Sequence, residues 1–491
     1  MERPIVYLQN LNKQDFLIGD NNHELQRIAT EKYLELKQIL ATGKTPKIIL
    51  SQPEPVQFIA SFIAACAANC HIFLCNPNWG KQEWQQVIDL VKPDIIWGKV
   101  EHSPSLPLPT PVPFGKLRSR LRSRQADSHT LREATLTATL TASRLPSSHT
   151  LIMIPTGGSS GQIKFAIHTW ETLTASVKGF TEYFQIQQVN SCCVLPLYHV
   201  SGLMQFMRSL TTGGKLAIAP FKELTSGQIS SINPADFFIS LVPTQLQIFL
   251  ENPQLTAWLA QFNTVLLGGG PAWPELLEPA KFHRIRLAPT YGMTETASQI
   301  ATLKPDDFLN GITSSGQILP HAQVTIRNQN GEILQPNEIG NITIQAQSLA
   351  LGYYPHTWEN QNHLQIDDLG FLDTQGYLNI IGRSSDKIIT GGENIYPSEI
   401  ESAIRATQMV NDVCIIGLPD KHWGQAVTAI YIPKNSNISS CKIQTHLTHQ
   451  LSKFKIPKHW IPLPTLPRNA QGKINRQQLQ QIALKFLQNL S

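Results

Sequence analysis

The spacing of hydrophobic and polar positions predicts helices that alternate with strands along most of the chain. The first hundred residues contain predicted helices over 22–40 and up to residue 69, and predicted strands over 47–50 and 71–75. After residue 150 the pattern predicts a helix over 244–252 and strands over 150–155, 192–196, 216–219, 237–242, 264–267 and 284–288. Alternation of this kind is typical of an α/β fold.

Beyond residue 320 the predicted segments become shorter and richer in strands. This region contains predicted strands over 323–328, 340–345 and 377–381. The C-terminal part then shows predicted helices over 398–407 and near 441–451, and predicted strands over 412–418 and 426–432. We therefore expect a small β-rich subdomain after the α/β part, followed by a small α+β unit.

The segment 101–148 interrupts this pattern, and most of the chain's net charge lies in it. Prolines alternate with other residues over 104–113, and between residues 101 and 150 seven basic residues face three acidic ones, against a net charge of +5 for the whole chain. One interpretation is an arm that binds nucleic acid or an acidic membrane. A solvated low-complexity insert is favoured, because aromatic residues that stack on bases are nearly absent. We therefore expect no nucleic-acid partner.

The cysteines and the apolar runs indicate a cytoplasmic protein without a membrane span. Seven cysteines are scattered along the chain without a CxxC pair, and no secretory signal is visible, which is typical of reduced thiols. The most apolar run, over 56–68, is too short to cross a bilayer. Cys66, Cys70 and His71 could begin a metal site, but a buried helix and strand is favoured because no second ligand pair follows.

A loop of glycines and hydroxyl residues follows the predicted strand 150–155. Glycines allow backbone N–H groups to converge on an anion, hydroxyls add donors, and a lysine supplies positive charge. The spacing differs from that of a Walker A loop, and for the loop alone an ordinary turn remains the alternative. The candidate phosphate-binding residues are Thr156, Gly157, Gly158, Ser159, Ser160, Gly161 and Lys164.

Three further segments combine groups that could bind a nucleotide. Tyr291, Gly292, Thr294 and Glu295 offer an aromatic ring, a bare backbone, a hydroxyl and a carboxylate that could hold Mg²⁺; the alternative is the capped start of a helix. The other two segments carry a carboxylate and an arginine, a pair of glycines, and a lysine presented by a glycine-containing loop. Their candidate residues are Asp368, Arg383, Gly391, Gly392 and Lys473.

In this order and spacing the four segments resemble the adenylate-forming superfamily of acyl-CoA synthetases, adenylation domains and luciferases, over about 150–480. The runs 195–202, 266–272, 291–299 and 391–397 are similar to the subfamily that ligates 2-succinylbenzoate to CoA. Two positions depart from the family pattern: Gly157 stands where Ser or Thr is usual, and Ile163 stands where Pro is usual. We expect activity to survive both changes.

The resemblance implies a fold and a reaction. It implies a large N-terminal domain over 1–385, with mixed sheets layered with helices and a β-rich subdomain, and a small mobile α+β domain over 386–491. It also implies activation of an acid by ATP and Mg²⁺ and transfer of the acyl group to CoA. The partners are then small molecules, and the oligomeric state stays open, a homo-oligomer included.

Residue roles are implied by the same resemblance. The loop 156–164 would hold the β- and γ-phosphates, Thr294 the α-phosphate and Glu295 the Mg²⁺ ion. Lys473 would reach the acid and the α-phosphate during adenylation, and Asp386 would be the hinge. The adenine and ribose would contact Gly268, Gly269, Gly270, Pro271, Tyr291, Gly292, Asp368 and Arg383. Gly391 and Gly392 would line the CoA channel, and His199 would lie where acyl group and thiol meet.

The acid itself is less constrained by the sequence. A second carboxylate on the substrate needs a buried cation, for which Arg208 is the candidate, with Ser201 nearby; a surface arginine is the alternative reading of Arg208. Another aryl- or acyl-CoA ligase, or an adenylation enzyme that loads a carrier protein, remains open. A non-catalytic nucleotide-binding protein is a third possibility, against which the intact set Glu295, Asp368, Arg383 and Lys473 argues.

Overall fold

The computed structural model describes residues 2–11, 15–19, 22–100, 150–157, 162–227, 232–360, 362–390, 393–448, 450–468 and 473–488. The predicted insert over 101–148 lies outside the described residues. Up to residue 100 the elements are α1 (Pro4–Asn10), α2 (Asn22–Leu40), β1 (Lys47–Ser51), α3 (Pro55–Ala67), β2 (His71–Leu74), α4 (Lys81–Val91) and β3 (Ile95–Gly98).

The middle of the chain continues the alternation of strands and helices. Residues 150–227 form β4 (Ile152–Gly157), β5 (Ile163–His168), α5 (Trp170–Phe184), β6 (Ser191–Cys193), α6 (Val200–Thr212), β7 (Leu216–Ile218) and α7 (Phe221–Thr225). Residues 232–309 form β8 (Phe238–Leu241), α8 (Pro243–Glu251), α9 (Pro253–Leu259), β9 (Thr264–Leu267), α10 (Pro274–Phe282), β10 (Leu287–Met293), β11 (Ser298–Thr302) and α11 (Pro305–Leu309), with short 3₁₀ turns at Pro234–Asp236 and Thr294–Thr296.

The remaining residues are richer in strands. Residues 317–383 form β12 (Gln317–Ile318), β13 (Ala322–Arg327), β14 (Gly340–Ala346), β15 (Gly352–Tyr353), β16 (His356–Thr357), β17 (Leu364–Leu372) and β18 (Leu378–Arg383). Residues 388–488 form β19 (Ile388–Thr390), β20 (Glu393–Ile395), α12 (Pro397–Ala406), β21 (Val410–Asp420), β22 (Gly424–Pro433), α13 (Ser440–Leu447), β23 (His459–Pro462) and α14 (Arg476–Gln488).

Two seven-stranded sheets dominate the larger part of the described structure. Their strand orders are β16-β15-β5-β4-β2-β1-β3 and β12-β11-β10-β9-β8-β6-β7. Helix α3 is buried on nearly all sides and shares one hydrophobic cluster with α2, α6 and strands of both sheets. A helix that is hydrophobic all round belongs in a core, so these helices form a layer between the two sheets.

Two smaller sheets follow, as the pattern predicted. The β-rich subdomain is the four-stranded sheet β13-β14-β17-β18, and the C-terminal unit is a five-stranded sheet built from β19 to β23 with its own core against α12 and α13. The fold class expected from the sequence is therefore confirmed. Most predicted elements match the observed ones within a few residues.

One prediction about local structure was wrong in an informative way. The predicted strand 284–288 begins only at Leu287 and continues to Met293, so Tyr291 and Gly292 lie in a strand rather than at a helix start. Pairing with β9 on one side and with β11 on the other supplies backbone hydrogen-bond partners along this strand. The only helical geometry in this motif is the 3₁₀ turn Thr294–Thr296.

Candidate active site

The proposed phosphate loop connects β4 to β5, which pair with each other as antiparallel strands. Strand pairing places Thr156 opposite Lys164 and Gly157 opposite Ile163, so the hairpin arms are in register up to the loop. Gly158, Ser159, Ser160 and Gly161 lie outside the described residues. Because side chains alternate along a strand, Lys164, Ala166 and His168 share one face of β5. This face is turned toward the turn that carries Thr294 and Glu295, as the contacts of His168 show.

His168 ties this strand to the backbone of Thr294. Its Nε2 lies 2.8 Å from the carbonyl oxygen of Thr294, and its Nδ1 lies 3.0 Å from Oγ1 of Thr172. The side chain is fully buried, and burial lowers the pKa of His168 to about 4, so the ring is neutral at pH 7. A neutral ring can donate from Nε2 to the carbonyl and accept at Nδ1.

Glu295 is a nearly buried carboxylate, 8% exposed, and Tyr353 is its described partner. The hydroxyl of Tyr353 donates to Oε1 of Glu295 at 2.6 Å. The ammonium of Lys164 lies 5.5 Å from the centre of the same tyrosine ring, within the range of a cation–π contact. Tyr353 therefore stands between the lysine of the phosphate hairpin and the candidate magnesium ligand.

Asp368 and Arg383 face each other on neighbouring strands, β17 and β18. The Arg383 guanidinium donates to Oδ1 of Asp368 at 3.3 Å, and the hydroxyl of Tyr291 donates to Oδ2 at 2.5 Å. Burial and the Asp368 carboxylate raise the pKa of Tyr291, so the phenol stays protonated and keeps its role as donor. The structure thus brings together three residues that the sequence assigned to nucleoside binding.

Gly268 and Gly292 sit where side chains would not fit. A Cβ on Gly268 would lie 2.5 Å from Oγ1 of Thr290, and a Cβ on Gly292 would lie 2.1 Å from the carbonyl oxygen of Ser298. Gly269, Gly270 and Pro271 follow β9 at the carboxyl edge of the second sheet, next to the end of β10 that carries Tyr291. Ligands of open α/β sheets bind beyond such carboxyl ends.

Lys473 of the C-terminal unit reaches the same site. Burial lowers the pKa of Lys473, Arg383 lowers it further, and Glu295 and Asp368 raise it, so the ammonium lies within electrostatic reach of both carboxylates. Burial also lowers the pKa of His199 to about 4, with a further contribution from Lys473. Lys473 therefore interacts electrostatically with His199, Glu295 and Asp368, although Lys473 and His199 lie far apart in the sequence.

Helix α6 connects His199 to Arg208. His199 precedes the helix, and Ser201, Gln205 and Arg208 follow one face along it. Arg208 is only 3% exposed, so its interpretation as a surface arginine was wrong. Its Nη2 donates to Oγ of Ser298 at 3.0 Å and to Oε1 of Gln299 at 2.7 Å.

The environment of Arg208 destabilises its positive charge. The guanidinium stacks on Phe180 at 4.3 Å, and burial lowers the pKa of Arg208 to about 9. Its Nε atom is buried without a hydrogen-bond partner in the described part of the chain. A charged group that is buried among neutral partners is poorly compensated, and a carboxylate brought by a ligand would supply the missing charge.

The predicted hinge residue, Asp386, makes an ion pair with Arg476 of the C-terminal unit. The carboxylate of Asp386 lies 3.3 Å from Nε of Arg476, which also contacts Glu401 at 3.3 Å and the carbonyl of Ile415 at 2.6 Å. Arg476 follows Lys473 by three residues. Gly391 and Gly392, the predicted CoA-channel residues, lie outside the described residues.

Comparison with known proteins identifies the family. The sequence model described as AMP-binding enzyme matches residues 35–354, and that of the AMP-binding enzyme C-terminal domain matches residues 399–473. The chain belongs to the AMP-binding enzyme family.

Several relatives of this AMP-binding enzyme carry one name. A 2-succinylbenzoate–CoA ligase of Oceanobacillus iheyensis is 38% identical over 291 residues, which span 58% of this chain and 60% of that protein. A ligase of the same name from Listeria monocytogenes is 35% identical over 347 residues, which span 68% of this chain and 70% of that protein. The aligned part thus covers less than two thirds of the Oceanobacillus protein.

Solved structures share the fold of this AMP-binding enzyme over nearly the whole chain. The o-succinylbenzoate CoA synthetase of Bacillus subtilis, in complex with its acyl-adenylate intermediate, has a TM-score of 0.78 at 24% identity and covers 98% of both chains. ATP-bound MatB of Rhodopseudomonas palustris has a TM-score of 0.76 at 20% identity and covers 98% of this chain and 99% of that chain. Both likenesses concern the fold.

The donor set of this AMP-binding enzyme fits Mg²⁺ that arrives with ATP. Among the described residues no group of three or more His, Cys, Asp or Glu side chains could hold a metal by itself. Mg²⁺ is commonly bound by one or two carboxylates together with substrate phosphates. Glu295, beside the phosphate hairpin, is a carboxylate of that kind. In the same described ranges, helices that combine the length and the apolarity needed to cross a membrane are absent.

Two residues of the site were missed by the sequence reasoning. Tyr353 lies 58 residues from Glu295, and His168 lies 126 residues from Thr294. Neither carried a local signal, because an isolated tyrosine or histidine is compatible with many environments. Only the pairing of β15 with β5, through Tyr353 and Ala166, brings Tyr353 to the hairpin.

Proposed function

We propose that the protein is an ATP-dependent acid–thiol ligase that converts 2-succinylbenzoate to its acyl-adenylate and then to 2-succinylbenzoyl-CoA, for menaquinone or phylloquinone biosynthesis. The observation that carries the choice of acid is the buried, poorly compensated guanidinium of Arg208 on the helix that starts at His199. The names of the relatives, 2-succinylbenzoate–CoA ligases, support the same acid. ATP, Mg²⁺ and CoA are the co-substrates and cofactor.

In the first half-reaction a carboxylate oxygen of the acid attacks the α-phosphorus of ATP, and pyrophosphate leaves. The ammonium of Lys473 would stabilise the negative charge that develops on the α-phosphate oxygens, since preorganised charge acts strongly in a buried site. Thr294 would donate to the same phosphate, and Thr156 and Lys164 would hold the β- and γ-phosphates. When bound, Mg²⁺ would neutralise phosphate charge beside Glu295.

Nucleoside binding would fall to the ion pair and the tyrosine described above. The Asp368 carboxylate can accept from ribose hydroxyls while Arg383 balances its charge. The backbone at Gly268, Gly269, Gly270 and Pro271 would cover one side of the adenine, and Tyr291 would cover the other. The close approach of backbone at Gly268 and Gly292 supports this assignment.

In the second half-reaction the CoA thiol attacks the acyl carbonyl, the C–O bond to AMP breaks, and AMP leaves. The neutral imidazole of His199 can accept a hydrogen bond or a proton from the thiol. For the thiol to enter, the small domain would turn about Asp386 and withdraw Lys473, and Gly391 and Gly392 would line the CoA channel. The ion pair between Asp386 and Arg476 would anchor the hinge residue to the small domain as that domain turns.

Recognition of 2-succinylbenzoate would use the carboxylate that does not react. Arg208 would pair with that carboxylate, supported by Ser298 and Gln299, and Ser201 would contact the succinyl chain from the start of α6. An acid with a single carboxylate would leave the guanidinium uncompensated. The pocket would therefore favour a dicarboxylic aryl acid over benzoate or a fatty acid.

The decisive experiment measures thioesters by mass spectrometry. The protein is supplied with ATP, Mg²⁺, CoA and a mixture of 2-succinylbenzoate, benzoate, 4-coumarate and a medium-chain fatty acid. We expect 2-succinylbenzoyl-CoA to dominate. A different dominant thioester would assign another acid, and acid-dependent pyrophosphate release without a thioester would move the acceptor from CoA to a carrier protein.

The role of Arg208 is tested by substitution. We expect Arg208→Ala to raise the KM for 2-succinylbenzoate about 30-fold or more, because one partner of a buried charge pair is lost, while the KM for ATP stays unchanged. The control is Arg286→Ala, which removes an exposed arginine paired with Asp306. An unchanged KM for 2-succinylbenzoate in Arg208→Ala would remove Arg208 from the acid site.

The setting of the enzyme follows from the same proposal. All seven cysteines are free thiols, which fits a cytoplasmic location. A homo-oligomer in solution would be detected by light scattering. Neither point affects the chemistry assigned to the site.

A further inference from the structure

We propose that Tyr353 is a positioning residue. Its hydroxyl fixes the orientation of the Glu295 carboxylate relative to the phosphate hairpin, so that the carboxylate can bind the Mg²⁺ that accompanies ATP. This assignment rests on the proposed function. It concerns the ATP side of the site, so it is independent of which acid the enzyme activates.

Two residues of the segment 350–353 donate hydrogen bonds to Glu295. The backbone N–H of Ala350 donates to the carbonyl oxygen of Glu295 at 2.8 Å, and the hydroxyl of Tyr353 donates to its Oε1 at 2.6 Å. A glutamate side chain has several rotatable bonds, and the hydroxyl selects one of its orientations. The hydrogen bond uses one of about four lone-pair positions of the carboxylate, so the carboxylate retains acceptor capacity for a cation.

The ring of Tyr353 is itself fixed to the phosphate hairpin. Tyr353 pairs with Ala166 of β5, and the Lys164 ammonium lies 5.5 Å from the ring centre. Trp358 packs against the ring edge-on at 5.5 Å. A shift of the hairpin would therefore move the tyrosine and, with it, the carboxylate.

His168 completes the arrangement from the backbone side. It lies on the same face of β5 as Lys164 and Ala166, and it contacts the carbonyl of Thr294 at 2.8 Å. Strand β5 thus holds the backbone of the turn through His168 and the side chain of Glu295 through Tyr353. Such support from neighbouring side chains is what keeps a metal-binding carboxylate in place.

The test removes the hydroxyl and keeps the ring. ATP should bind more tightly as Mg²⁺ is added, and we define the Mg²⁺ requirement as the concentration that gives half of this increase in affinity. In Tyr353→Phe we expect the Mg²⁺ requirement to rise about tenfold, as for the loss of a hydrogen bond to a charged group. The measurement is calorimetric titration of ATP at a series of Mg²⁺ concentrations without acid or CoA, so no turnover is required. ATP binding in EDTA should be unchanged.

A matched control and a double variant separate this role from a general structural one. Tyr354→Phe removes the neighbouring hydroxyl, whose ring packs against Phe73 at 4.8 Å, and should leave the Mg²⁺ requirement unchanged. In a Glu295→Gln background, Tyr353→Phe should cause no further change. An unchanged requirement in Tyr353→Phe, or an equal shift with Glu295→Gln already present, would overturn the assignment.

The outcome also distinguishes this inference from the proposed function. A wild-type protein that bound no ATP would overturn both. A wild-type protein that bound ATP with Mg²⁺ but ligated a different acid would revise the proposed substrate and leave the role of Tyr353 to the measurement above.

Discussion

The two active-site carboxylates, Glu295 and Asp368, have the same kind of hydrogen-bond donor but different electrostatic environments. Each accepts a short hydrogen bond from a tyrosine hydroxyl, at 2.6 Å from Tyr353 and at 2.5 Å from Tyr291. Asp368 is also paired with the guanidinium of Arg383, whereas the hydroxyl of Tyr353 brings no charge to Glu295. In both cases the tyrosine hydroxyl orients the carboxylate. The difference is that a neighbouring guanidinium offsets the negative charge of Asp368.

This difference matches the two ligands that the carboxylates are proposed to meet. Ribose hydroxyls are neutral, so a carboxylate that is already paired with an arginine can still accept hydrogen bonds from them. A magnesium ion binds best to a carboxylate whose negative charge is not already offset, and no arginine is paired with Glu295 in the described part of the chain. The ammonium of Lys473 interacts electrostatically with both carboxylates. The C-terminal unit therefore contributes one positive charge that acts on both.

The largest effect is expected from removing that shared ammonium. In Lys473→Ala the rate of acid-dependent ATP–pyrophosphate exchange should fall about 10²–10³-fold, as for the loss of one preorganised donor in an oxyanion site. Formation of the thioester from supplied acyl-adenylate and CoA should persist, because Lys473 acts in the first half-reaction. The control is Lys485→Ala, an exposed lysine on α14. Equal loss of both half-reactions would contradict the role assigned to Lys473.

A smaller effect should separate the carboxylates from each other. Asp368→Asn keeps the shape and loses the charge, and we expect the KM for ATP to rise about tenfold while the Mg²⁺ dependence stays as in the wild type. Glu295→Gln should instead raise the Mg²⁺ requirement. Steady-state kinetics at several Mg²⁺ concentrations distinguish the two. The comparison fails if both variants shift the Mg²⁺ dependence equally.

The smallest effect concerns a third charge with a neutral neighbour, Arg208 beside His321. Burial, and then the charge of Arg208, lowers the pKa of His321 to about 4, below its value of about 6.5 in an unfolded chain. The resulting stability is fully present above pH 6.5 and is lost as the pH falls toward 4, by up to about 3 kcal/mol. Urea unfolding of wild type and His321→Asn at pH 7 and pH 4.5 should show a weaker pH dependence for the variant.

Much of this architecture could be predicted from the sequence, because it depends on local periodicity and on motifs of fixed spacing. Helix α2 and strand β9 were predicted with their observed bounds. The long-range partners could not be predicted in the same way, since the contacts of Tyr353 and His168 exist only once β5 has paired with β4 and β15. Arg208 was ambiguous for a related reason, because residues 202–210 of α6 are buried on every side and no polar face marks the arginine as internal.

The alternation along β5 has a consequence for how this gene can change length. Lys164 reaches the tyrosine ring, Ala166 pairs with the tyrosine backbone, and His168 reaches Thr294, all at steps of two residues. Insertion or deletion of a single codon between these positions would turn part of the set to the opposite side of the sheet. Single-codon insertions and deletions should therefore be absent from natural variants between Lys164 and His168.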